Sequence, residues 1–100
     1  MSHEPEYQDW QQVVELIRTS VVDEQYDMLL TMLMTPDERE SLIARVNILN
    51  ELLKGDLSQR QISQALGVGI ATITRGSNEL KSKSASDKEK LKRLLEQGAS

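Results

Sequence analysis

Apolar side chains recur at the three-and-four spacing of a helix along the whole chain, and no stretch alternates convincingly at the two-residue period of a strand. Trp10, Val13, Val14, Ile17 and Val21 fall on one helix face. Tyr26, Leu29, Leu30 and Leu33 repeat the pattern over 25–33, with Met28 and Met32 flanking it. This periodicity predicts an all-α fold, and 100 residues make one domain at most. The chain has no Phe, one Trp and two Tyr, so aliphatic side chains must build nearly all of its core. A lone domain of this size has little stability to spare, which makes an obligate oligomer a live expectation.

The breaks between helices are written in capping residues and glycines. In Thr35-Pro36-Asp37-Glu38 the threonine can accept from the Glu38 amide while Glu38 reaches back to the Thr35 amide. Pro36 occupies the first helical position, where a missing donor costs nothing, and Asp37 and Glu38 complement the positive helix end. The helix that follows carries Leu42, Val46, Leu49 and Leu53 on one face, with Ile43 beside them, and should stop near Lys54 because Gly55 follows. Ser58 with Gln61 opens a short helix that Gly67 ends, and Gly67-Val68-Gly69 is a tight turn. A further helix is predicted from Ile70 to about Lys83, and after a polar break Ser86 caps a last one carrying Leu91, Leu94 and Leu95. The count is six helices.

Gln59 to Asn78 reads as a helix-turn-helix. Its first helix buries Ile62 and Leu66, and its second buries Ile73 against the first, leaving the other side free to enter a major groove. The exposed start of that second helix would be Ile70, Ala71, Thr72 and Thr74. These small, hydroxyl- or methyl-bearing side chains let the backbone come close to base edges.

Charge appears at first to argue otherwise. The formal net charge is −4, where nucleic-acid binders are usually basic. The sum conceals an asymmetry: residues 1–40 carry a net of −8 and residues 41–100 a net of +4. From Lys54 to Lys83, five bases (Lys54, Arg60, Arg75, Lys81 and Lys83) face only Asp56 and Glu79, a local +3. Zero cysteines exclude a disulfide scaffold, a Cys-based zinc site and a thiol nucleophile, and the single His3 makes transition-metal chemistry unexpected. The acidic N-terminus is unlike a signal peptide, and the longest uncharged run, 14 residues from Gln61 to Thr74, is too short and polar to span a bilayer. No membrane partner is expected, and the cytoplasm is the default compartment. With no nucleophile–base pair and no phosphate-cradling glycine loop, an enzyme is the least favoured reading.

Five stretches are similar to the bacterial Trp repressor family: Thr35 to Glu40, Arg45-Val46, Glu51 to Leu53, Leu57 to Arg60, and the highly specific run from Gly69 to Asn78. The similarity covers roughly Leu33 to Lys81, with the first and last helices alike in pattern only. It implies an intertwined homodimer with two helix-turn-helix heads, the DNA-binding segment lying at 59–82 within a single domain of residues 1–100. It implies operator DNA as the macromolecular partner and L-tryptophan as co-repressor, with no other cofactor. The ligand would lie between the third helix and the reading helix. Arg45 and Arg75 would sandwich the indole, Arg75 and Thr35 would hold the carboxylate, and backbone carbonyls near Met32 and Met34, at the turn before Thr35 and from the partner chain, would take the ammonium. Gly76 would leave room beside the ring. Contacts to DNA would come from Gln59, Arg60, Gly69, Ile70, Ala71, Thr72, Thr74, Asn78 and Lys81.

Three positions depart from the family pattern. Glu79 stands where a small hydroxyl residue close to the ligand's amino group is typical. Ser63 replaces a lysine able to reach phosphate, and Ala44 replaces a hydroxyl beside Arg45. Glu79 therefore keeps open a regulator of the same fold with another effector or none. A third reading is a helical module whose acidic N-terminal half docks a basic partner.

Overall fold

The computed structural model describes residues 4–98, so His3 lies outside the described residues. Six helices follow in order: α1 (Trp10–Val22), α2 (Tyr26–Leu33), α3 (Pro36–Lys54), α4 (Gln59–Leu66), α5 (Ile70–Lys81) and α6 (Ala85–Gly98). Among the described residues there is no strand, and no helix is long and apolar enough to cross a membrane. The chain divides into two compact units, one ending at Arg39 and one beginning at Glu40.

In the first unit α1 packs with α2. Asp9 caps α1: its carboxylate accepts from the Gln12 amide at 2.8 Å, and Gln12 Oε1 accepts from the Asp9 amide at 3.1 Å. The turn after α1 contains no glycine. Glu24 itself takes the left-handed conformation (φ 58°), and the Gln25 amide closes the turn on the Ser20 carbonyl at 2.7 Å. Gln25, expected inside α2, precedes it as a cap residue with no side-chain bond.

The Thr35 cap of α3 forms as expected: Thr35 Oγ1 accepts from the Glu38 amide at 3.2 Å and Glu38 Oε1 from the Thr35 amide at 2.8 Å. The backbone hydrogen bond from Thr35, and then the one from its side chain, holds the Glu38 carboxyl below its ordinary pKa. A depressed folded-state pKa means stability that is fully present above the ordinary carboxylate value and lost as pH falls through the folded one. Thermal melting of Glu38→Gln, which retains a capping side chain, should therefore differ from wild type above the ordinary carboxylate range, the difference vanishing in more acid solution. A difference that grows on acidification would contradict this assignment.

In the second unit Ile48, Ile62 and Ile73 are buried, with Leu52, Leu66 and Val68 packed against them. This cluster fixes α4 and α5 against α3. Gly55 (φ 73°) and Gly67 (φ 67°) end α3 and α4 in the left-handed conformation that only glycine adopts without strain.

Two helix ends differ from expectation. α5 stops at Lys81 rather than near Lys83: its end tightens to bonds spanning three residues, from the Ser82 amide to the Glu79 carbonyl at 3.2 Å and from the Lys83 amide to the Leu80 carbonyl at 3.1 Å, and Ser82 Oγ also donates to the Glu79 carbonyl. α6 begins at Ala85, capped by Ser84 and not by Ser86: Ser84 Oγ accepts from the Asp87 amide at 3.0 Å. The earlier start closes more backbone bonds and sets Asp87 in the first turn, facing the positive helix end.

The buried apolar set is small. Trp10 is 74% exposed, and Val22, Met32, Ile43 and Leu94 are each more than half exposed in the single chain. Side chains at helical core spacing that stay open to water call for another apolar surface to cover them.

Candidate functional site

The second unit contains two sites that share one helix. The first is the helix-turn-helix, α4 and α5 joined through Gly67-Val68-Gly69, with the fully buried Ile62 and Ile73 at its centre. Ser58 caps α4, accepting from the Gln61 amide at 3.2 Å, while Gln61 Oε1 accepts from the Ser58 amide at 2.8 Å. Ile70, Ala71, Thr72, Thr74, Asn78 and Lys81 form the exposed side of α5, with Gly69 exposed before it and Arg60 exposed on α4.

Gln59 is half-buried, and its side-chain oxygen lies 3.0 Å from Thr74 Oγ1, which also lies 3.0 Å from the Ile70 carbonyl. One hydroxyl proton cannot serve both acceptors. With the Gln59 amide group turned to donate, Thr74 accepts from Gln59 and donates to Ile70. Two side chains expected on DNA are thus also bonded to each other across the two helices.

The second site is a cleft of about 590 Å³ between α3 and α5. Arg45 comes from the α3 wall and Arg75 from the α5 wall. Ala44, Ile48, Leu49 and Gly76 give it apolar surface, and Ser41, Thr72 and Glu79 add polar groups. Its volume suits a small molecule. Among the described residues, neither Arg45 nor Arg75 makes a side-chain hydrogen bond or ion pair, so both guanidinium planes are available. Glu79 lines the cleft and pairs with Lys83 at 3.3 Å, both side chains being well exposed. Gly76 has a packing reason as well: a Cβ there would stand 3.1 Å from Ile48 Cγ2, so the missing side chain lets α5 approach α3.

The structure thus brings four residues expected at the ligand, Arg45, Arg75, Gly76 and Glu79, into one cleft, and Thr72, expected on DNA, lines it too. Met32, Met34 and Thr35 belong to the first unit. There Met32 is exposed, and the Thr35 oxygen accepts a backbone amide, which leaves its hydroxyl proton free to donate. The Met34 carbonyl accepts from Arg39 Nη1 at 2.9 Å, and the same nitrogen reaches the Thr31 carbonyl at 3.0 Å. One acceptor expected for a ligand ammonium is therefore already shared with Arg39. Sequence reasoning missed Arg39, although a cation just beyond the end of α2 is a usual partner for terminal carbonyls.

An all-helical fold that sets a cleft against the back of a helix-turn-helix has the architecture of a DNA-binding regulator. Residues 8–95 match the Trp repressor protein family. The chain is 85% identical to a Trp operon repressor homolog of Vibrio campbellii, over 99% of each chain. It is 83% identical to one from Vibrio parahaemolyticus, covering 99% of this chain and 96% of that one. It is 66% identical to one from Vibrio cholerae, covering 95% and 92%. The chain belongs to the Trp repressor family.

Proposed function

We propose that this chain is a cytoplasmic transcriptional repressor, activated by L-tryptophan as co-repressor, that binds a palindromic operator as an intertwined homodimer and shuts off tryptophan biosynthesis genes. The observation that carries the reading is the cleft behind the reading helix, with two unpaired arginines facing it from different helices. Arginine is planar, always charged and stacks well on aromatic rings, so Arg45 and Arg75 suit the two faces of an indole. Arg75, with Thr35, would hold the ligand carboxylate, and backbone carbonyls near Met32 and Met34, supplied by the partner chain, would take the ammonium. Gly76 keeps the α5 wall low beside the ring, and Glu79 stands at the rim.

The cleft and the reading surface share α5, which is the basis of the coupling. A ligand filling the cleft fixes that helix against α3, and by linkage DNA must strengthen ligand binding by the factor that ligand strengthens DNA binding. The whole chain, 1–100, acts as one domain, with 59–82 as its DNA-binding segment. Gln59, Arg60, Gly69, Ile70, Ala71, Thr72, Thr74, Asn78 and Lys81 face DNA. In the homodimer the exposed apolar faces of the helices cover one another. As in helix-turn-helix dimers generally, the Trp repressor family among them, two-fold symmetry asks for half-sites about one helical turn apart.

A mobility shift on a palindromic tryptophan-operon operator, with and without L-tryptophan, tests the reading. Tryptophan-dependent retardation is expected. Retardation indifferent to tryptophan would replace this reading with a regulator of another effector, and no retardation at low salt would end the DNA-binding reading.

A further inference from the structure

One residue of α4 takes three hydrogen bonds of the turn that launches the reading helix, two through its backbone carbonyl and one through its side chain. Both backbone polar groups of Val68 are bonded to Ser63: the Val68 amide donates to the Ser63 carbonyl at 3.3 Å, and the Val68 carbonyl accepts from Ser63 Oγ at 2.6 Å. The Gly67 amide donates to the same Ser63 carbonyl at 2.9 Å. A left-handed glycine stop is usually accompanied by an apolar contact between the residues in these two positions. Here a hydrogen bond replaces it, which leaves the Val68 side chain to pack on the cluster of Ile48, Ile62 and Ile73.

Further along, the Gln59–Thr74 bond and the Ile62–Ile73 contact also tie α5 to α4, but among the described residues no other side chain bonds the backbone of the turn itself. Gly69 gives α5 no side-chain cap; only its carbonyl is used, by the Thr72 and Ile73 amides at 3.1 and 3.4 Å. The Val68 carbonyl belongs to the peptide that joins Val68 to Gly69. Bonding it to α4 restrains the dihedrals on either side of that peptide, and those dihedrals set the direction in which α5 leaves the turn. The Ser63 hydroxyl is spent on this internal bond, since it has one proton to give.

We infer that Ser63 is a positioning residue for DNA recognition, fixing the attitude of the reading helix on α4 through the Val68 carbonyl without itself touching nucleic acid. The inference rests on the repressor reading above, and it gives this position a task unlike that of a phosphate-reaching lysine. It predicts a loss of specific binding without a loss of backbone binding, because a misdirected helix spoils base contacts while the surrounding cations still meet phosphates.

The test compares wild type, Ser63→Ala and Ser63→Thr on an operator duplex and a non-operator duplex of equal length. L-tryptophan is saturating, salt is varied, and protein concentrations are corrected for the active fraction. Removing one net hydrogen bond should raise the operator dissociation constant about three- to tenfold in Ser63→Ala. Non-operator affinity and the salt slope should stay unchanged, and Ser63→Thr should restore operator binding to within about twofold. In the free protein the Val68 carbonyl carbon resonance should move upfield in Ser63→Ala and return in Ser63→Thr. Equal losses on both duplexes, or a shallower salt slope, would show a direct phosphate contact and overturn the inference. Unchanged operator binding, or an unmoved Val68 resonance, would overturn it as well. Failure of the wild-type protein to bind operator would instead defeat the repressor reading, and the Val68 resonance would still decide whether the clasp exists.

Discussion

Arg75→Ala should weaken L-tryptophan binding by roughly 30- to 5,000-fold, while Glu79→Ser should change it less than tenfold. The first figure combines a charge-assisted hydrogen bond to the ligand carboxylate, about 1.5–3 kcal/mol, with a cation–π stack, about 0.5–2 kcal/mol. Arg75 has no intramolecular partner among the described residues, so its full donor set is open to a ligand and none of its interaction is lost by breaking a previous bond. Glu79 differs on both counts. Its carboxylate is well exposed and already paired with Lys83 at 3.3 Å, just beyond the end of α5. An exposed carboxylate with that alternative neither draws an ammonium strongly nor repels a carboxylate strongly, because water screens it. Arg75→Lys separates charge from shape: it keeps the cation but loses the planar fork, and should recover only part of the affinity. Calorimetry on the three variants measures this directly, and a larger effect at Glu79 than at Arg75 would overturn the assignment of the cleft's polarity.

The contrast between these two residues also marks what the sequence makes legible. Glu79 is visible as a departure from a family pattern, but its pairing with Lys83 depends on rotamer choice and on how the chain leaves the end of α5. Arg45 and Arg75 lie 30 positions apart, and each alone resembles a solvated helix charge. Only the family resemblance pairs them; periodicity does not. Gly76 shows the same gap from the other side. Its position beside the cleft was expected, yet the 3.1 Å approach of a notional Cβ to Ile48 Cγ2 is a packing fact that needs α3 and α5 in place.

Local signals are more completely legible. The caps at Thr35 and Ser58 and the glycine stops at Gly55 and Gly67 depend on neighbours within five residues, so they are legible wherever the pattern occurs. The Asp9–Gln12 box at α1 has the same form and could have been found from the same signature. The last helix shows the limit of such reading. Ser86 with Glu89 is the better pattern, yet Ser84 is the cap, since the chain gains helical bonds by starting earlier. At Glu24 there was nothing to read: a non-glycine residue occupies the left-handed position, held by the backbone bonds around it. The Ser63 clasp and the Gln59–Thr74 bond were invisible for a related reason. A polar side chain on a helix looks the same in sequence whether it faces water, DNA or a neighbouring backbone.

Leu42→Glu should abolish the folded state at concentrations where wild type is fully folded. In the single chain Leu42 is 43% exposed and shares a face of α3 with Val46, also partly open. Were that surface free in solution, the substitution would be close to neutral, within about 0.5 kcal/mol, since exposed positions tolerate charge and glutamate is a good helix former. In an intertwined dimer the same position is covered. Each protomer then loses about 1.5–3 kcal/mol of leucine burial and gains the desolvation of an unpaired carboxylate, and two-fold symmetry applies both costs twice. With Ile48, Ile62 and Ile73 the only buried apolar side chains among the described residues, there is little else to absorb that loss. Urea denaturation followed by circular dichroism, over a hundredfold range of protein concentration, separates the two cases. The wild-type midpoint should rise with concentration, as mass action requires of a folded state that exists only as a dimer. Leu42→Glu should be unfolded at the low end of that range and regain helix, if at all, only at the high end. A wild-type midpoint independent of concentration, together with a Leu42→Glu midpoint that matches it, would mean that the exposed faces of these helices are not covered by a second copy of the chain.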